Sequence, residues 1–66
     1  MKETFYSYIW EYETEKDVMI SISENGKILR KTRKEVEDTI SKYKKMIKRL
    51  EKAKIIKVTI DVEVEE

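Results

Sequence analysis

DVMISISENGKILRK, residues 17–31, decides the fold. Val18, Ile20 and Ile22 alternate with Met19, Ser21 and Ser23, the period of a half-buried strand. Asn25-Gly26 follows, and a type I′ turn needs positive φ at both centres, which these two residues tolerate best. Residues 27–31 then fold back as a short third strand, with Glu24 facing Lys27 and Ile22 facing Leu29, so that Leu29 joins Val18, Ile20 and Ile22 on one side. The stretch predicts a hairpin. The alternative is that residues 27–31 only link into the next element.

Upstream, residues 4–13, TFYSYIWEYE, alternate as well. Tyr6, Tyr8, Trp10 and Tyr12 point one way and Phe5, Ser7, Ile9 and Glu11 the other, as in a strand of about ten residues. The polar residues Thr14, Glu15 and Lys16 suit a turn between the first two strands.

Downstream, residues 32–53, TRKEVEDTISKYKKMIKRLEKA, set Val36, Ile40, Tyr43, Ile47 and Leu50 on one helical stripe. Thr32 with Glu35 fits a capping box, which starts the helix near Arg33. Acids early in the segment and bases late suit the helix dipole. Some twenty-one residues at about 1.5 Å each match a strand of about 33 Å. After the helix, Ile56, Val58, Ile60, Val62 and Val64 alternate with Lys57, Thr59, Asp61 and Glu63 through residues 55–65. A right-handed crossover would lay this last strand parallel to the strand before the helix.

The expected fold is therefore α+β: a two-layer β-β-β-α-β domain over residues 1–66, with a mostly antiparallel sheet of three to four strands and one long helix on one face. The helix stripe should meet Val18, Ile20, Ile22, Leu29, the Ile56 to Val64 set and, by bulk, the four aromatics, whose alternative reading is an exposed stacking platform for single-stranded nucleic acid. The opposite sheet face would carry Phe5, Ile9, Met19 and Ile55 among Ser7, Glu11, Ser21, Thr59, Asp61 and Glu63.

The 66 residues carry a net charge of +1, divided unevenly. Residues 1–26 sum to −4, residues 27–57 to +9, and the tail from Val58 to −4. From Lys42 to Lys54 there are seven bases, Lys42, Lys44, Lys45, Lys48, Arg49, Lys52 and Lys54, against Glu51 alone. In a continuous helix, Lys44 with Lys48, Lys45 with Arg49 and Lys48 with Lys52 are like charges one turn apart, each costing about 0.2 to 0.5 kcal/mol. A charge run kept at that cost suits a polyanion.

The candidate nucleic-acid-binding residues are Lys42, Lys44, Lys45, Lys48, Arg49 and Lys52, with Arg30, Lys31, Arg33 and Lys34 beside them. They would grip phosphates without reading sequence. Two alternatives are a protein-interaction module, a small inhibitor or assembly factor docking through the acidic sheet face or a strand edge, and an idealised scaffold without a binding function. A protein partner, including a homodimer, thus stands beside nucleic acid.

There is no cysteine and no histidine, hence no disulfide, thiolate ligand or imidazole base, and no base beside any of the four serines. Enzyme chemistry, cofactor and metal are not expected. With no apolar run long enough to span a membrane and no signal pattern at Met1, a cytoplasmic protein is expected.

GKILRKTRKE, residues 26–35, leading into a helix after two strands, resembles the three-stranded, helix-backed arm-binding domains of phage-type integrases. The resemblance covers these ten residues and the element order, includes no diagnostic motif, and leaves the last strand unmatched.

Overall fold

The computed structural model describes residues 1–65. In chain order they form β1 (Lys2–Ile9), α1 (Glu15–Ser23), α2 (Arg33–Tyr43), a 3-10 turn (Lys48–Lys52) and β2 (Lys54–Asp61). The sheet has two strands rather than three or four, and two helices stand where one long helix was expected.

The first correction falls on the deciding stretch: residues 15–23 are helical. Thr14 Oγ1 accepts from the Asp17 amide at 3.3 Å, and the Asp17 carboxylate accepts from the Thr14 amide at 2.9 Å, closing a capping box. The alternation is compatible with this outcome, because Val18 and Ile22 are also one helical turn apart. Val18 is buried, and Ile20, which a strand would have turned inward with them, is 47% exposed.

Asn25-Gly26 makes no hairpin. Asn25 lies in the left-handed region at φ 58°, its amide donates to the Ile22 carbonyl at 3.1 Å, and the Gly26 amide donates to the Ser21 carbonyl at 2.7 Å. These two bonds close α1 with a Schellman motif. A β-carbon on Gly26 would stand 3.3 Å from that carbonyl oxygen, so glycine serves the close approach. Residues 27–31 reach the sheet at one point only, where Tyr6 and Arg30 exchange amide bonds of 2.7 and 2.9 Å.

Thr14→Ala should cost about 1 kcal/mol in urea unfolding followed by circular dichroism. Hydrogen bonds from the Thr14 amide and hydroxyl hold the Asp17 carboxyl below its ordinary value. Its folded value is depressed, so its contribution is present above the usual aspartate range and lost as pH falls through the depressed one. Stability of Thr14→Ala should therefore fall somewhat less steeply on acidification than that of the parent, the backbone amide of residue 14 remaining in place; equal slopes would exclude the hydroxyl from the pH response.

α2 begins where expected, with Thr32 Oγ1 accepting from the Glu35 amide at 3.2 Å. It stops at Tyr43. An unbroken helix over residues 32–53 would run about 33 Å, against about 26 Å for strands of 8 residues. Breaking it removes the like-charge ladder and turns the chain back so that Lys54 starts β2 opposite Ile9, with Leu50 buried in the 3-10 turn.

β2 forms where the alternation predicts a strand, but it ends at Asp61 rather than running to residue 65; it pairs antiparallel with β1, and the strand expected before the helix as its parallel neighbour does not form. Register sets Tyr6 against Lys57, Ser7 against Ile56 and Tyr8 against Ile55. Directly paired residues share a face, so Phe5, Ser7 and Ile9 go with Val58 and Ile56, while Tyr6 and Tyr8 go with Lys57 and Ile55. The expected division of faces, which put the tyrosines with Ile56 and Val58, is thereby overturned, and the proposed acidic face is split. α2 borders hollows with Tyr8, Trp10 and Ile28 on one flank and Ile55 on the other, whereas α1 borders one with Ile9, Ile56 and Val58.

Among the described residues the buried apolar side chains are Val18, Val36 and Leu50, joined by Ser7, whose Oγ has no partner. Tyr6, Tyr8 and Trp10 are half-buried and Tyr12 is exposed, so the aromatic row is not the enclosed core expected of it.

Candidate nucleic-acid interface

Beyond Ile9 the chain leaves the sheet and turns tightly. The Trp10 amide donates to Glu13 Oε1 at 2.8 Å, and the Glu13 amide returns to the Trp10 carbonyl at 3.0 Å. This closed turn holds three aromatics in fixed relation. Tyr8 meets Trp10 edge to face at 5.1 Å, and Tyr12 lies parallel to Trp10 at 6.4 Å between centroids. Tyr12 is 67% exposed, leaving ring surface open to solvent.

Beneath the turn lies an ion pair. Lys27 Nζ meets Glu13 Oε1, with the two side chains only 2% and 8% exposed. The same ammonium stands 4.2 Å from the centre of the Tyr8 ring and 5.7 Å from that of Trp10. Carboxylate and ring faces together replace the water the ammonium gives up. Burial, then the negative charge of Glu13, pushes the Tyr8 hydroxyl above its ordinary value.

The helix break determines where the candidate basic residues go. Lys42 closes α2, with its ammonium 5.4 Å from the Tyr43 ring centre. Lys44 and Lys45 occupy the turn that follows, and Lys48, Arg49 and Lys52 lie on the 3-10 turn. All six are exposed, but no single helix face carries them. The Arg49 guanidinium stands 5.9 Å from the Trp10 ring centre, and Lys52 Nζ lies 4.0 Å from a Glu11 carboxylate oxygen. Lys44, Lys45 and Lys48 have no ion-pair partner among the described residues.

The second candidate group is separate. Arg33 and Lys34 begin α2, about 12 to 14 Å of helix from Lys42, and Arg33 is engaged with Glu37 at 3.1 Å. Arg30 is tied through its backbone to Tyr6, and Lys31 is exposed beside it. Two basic clusters thus stand at the two ends of α2.

The Trp10–Tyr12 pair beside Arg49 and Lys52 was not legible in the sequence, since about forty residues separate the partners and no spacing joins them. Nor was the pairing of Lys27 with Glu13. A small hollow lies among Trp10, Glu11, Tyr12, Arg49 and Lys52. No grouping of three or more acidic residues suited to a metal occurs among the described residues, and no helix is long and apolar enough to cross a membrane.

No family model, no curated protein and no solved structure matches this chain. The element order behind the integrase resemblance does not hold, because one strand and one helix, rather than two strands, precede residues 26–35.

Proposed function

We propose that this protein binds single-stranded nucleic acid through the phosphate backbone, with little sequence selectivity. The observation that carries the proposal is the adjacency of exposed cations to an aromatic pair with an exposed ring: Arg49 and Lys52 flank half-buried Trp10 and exposed Tyr12, and Lys44, Lys45 and Lys48 are exposed in the same segment of the chain. Cations that follow the backbone beside rings that accept any base are the components of sequence-tolerant single-strand binding. The near-neutral total charge does not oppose this, because steering depends on the local field.

Fluorescence anisotropy of labelled single-stranded and duplex oligonucleotides tests it. Four to six phosphate contacts should weaken single-strand binding by about 50- to 300-fold between about 50 and 200 mM salt. Lys45→Glu with Lys48→Glu should reduce binding at least about tenfold with the circular dichroism spectrum unchanged, through loss and reversal of two phosphate-facing charges. Tyr12→Ala should cost about 5- to 150-fold on single strands, the equivalent of one stacked base, and little on duplex. Absence of binding at the lower salt would end the proposal; binding indifferent to Tyr12 would end its single-strand component.

A further inference from the structure

The described chain carries more surface than its size warrants. Its accessible area is 5705 Å², against about 4,450 Å² for a folded monomer of 8.0 kDa. Its radius of gyration is 12.9 Å, against about 10.8 Å for a compact chain of this length. The surplus of roughly 1,250 Å² exceeds the roughly 800 Å² each partner buries in an interface of standard size.

β2 offers a place to bury it. The Val62 amide donates to the Met1 carbonyl at 2.7 Å and the Met1 ammonium to the Val62 carbonyl at 3.1 Å, which fixes the phase of the ladder: even-numbered β2 residues turn their amides and carbonyls toward β1. Ile55, Lys57, Thr59 and Asp61 therefore turn theirs to the other edge, where no strand lies among the described residues. An open edge of this kind is a template for another strand.

We propose that this edge pairs with the same edge of a second copy, antiparallel about a two-fold axis at Thr59, making one four-stranded sheet from two chains. The charge sequence of β2 selects the arrangement. Lys54 and Lys57 precede the axis and Asp61 follows it, so pairing Thr59 with Thr59 sets each Lys57 opposite the other copy's Asp61. Val58 then faces Ile60 in the closer, non-hydrogen-bonded positions, which continues the apolar face across the axis.

Centring on Val58 would set Lys57 against Thr59 and Ile55 against Asp61, and centring on Ile60 would reach for Glu63, beyond the strand. Neither matches charge within β2. Assembly stops at two: the two-fold contact closes on itself, and the far edge of β1 is engaged by Arg30 at Tyr6.

Sedimentation equilibrium from micromolar to millimolar loading tests this, with twice 8.0 kDa expected. Lys57→Asp alone, or Asp61→Lys alone, opposes like charges at both symmetry-related positions and should weaken association about tenfold or more. The exchange Lys57→Asp with Asp61→Lys should restore it. Thr59→Pro removes an edge amide that β1 does not use, and should leave a folded monomer by circular dichroism.

A monomer at every loading overturns the proposal. A dimer indifferent to Thr59→Pro overturns the edge, and failure of the exchange to restore association overturns the register. Lys45→Glu with Lys48→Glu should leave the mass unchanged, so this result and that of nucleic-acid binding fail or stand separately.

Discussion

Lys27→Met is expected to remove about 3 to 5 kcal/mol of stability, most of what a domain of this length possesses. The loss comes from what remains behind. Glu13, 8% exposed and still accepting from the Trp10 amide, would hold a negative charge with no counter-ion. The Tyr8 and Trp10 ring faces, favourable to an ammonium, are unfavourable to a bare carboxylate. Urea unfolding followed through the single tryptophan is the measurement, since Trp10 borders the pair. Lys27→Met combined with Glu13→Gln should recover most of the loss, because glutamine keeps an acceptor for the Trp10 amide without the charge. A single variant as stable as the parent would show that water reaches Glu13.

Leu50→Ala comes next, with an expected cost of about 2 to 5 kcal/mol. Leu50 is the buried anchor of the 3-10 turn and borders both hollows flanking α2, one with Ile40, Ala53 and Ile55, the other with Tyr8, Trp10 and Tyr43. Truncation joins poorly filled space on both sides of the helix. At about 4 to 8 °C per kcal/mol, thermal unfolding should shift by at least about 8 °C. Ile47→Ala, at a half-exposed position in the same segment, should cost less than about 1 kcal/mol. Lys48, Arg49 and Lys52 ride on the turn that Leu50 pins, so the nucleic-acid affinity of Leu50→Ala should fall even at temperatures where the chain remains folded. Equal costs at positions 47 and 50 would mean that the turn is not anchored as described.

Local chemistry was legible in the sequence and long-range pairing was not. Thr32 announced the start of α2 because its cap needs only residues within one turn, and β2 showed itself through uninterrupted alternation. Residues 17–31 misled because Val18 and Ile22 fit both a strand and a helical turn, and Asn-Gly fits both a hairpin and a helix end. The neglected signal was Thr14 with Asp17, a second capping box upstream of the alternation. The end of α2 at Tyr43 has no glycine or proline to mark it; it follows from the reach back to Lys54, which depends on the partner strand. For the same reason the exposure of the basic residues could be read from composition, whereas their neighbours Trp10 and Tyr12 required the folded chain.

The two strands that pair lie far apart along the chain, and this governs how the molecule comes into being. Even the innermost partners, Ile9 and Lys54, enclose about 45 residues, a loop whose closure costs about 3 kcal/mol from its length alone. The helices inside that loop span 9 and 11 residues, too short to persist unaided in water. During synthesis the sheet becomes available only once β2 has emerged, so the encounter between these distant strands is the step expected to limit folding.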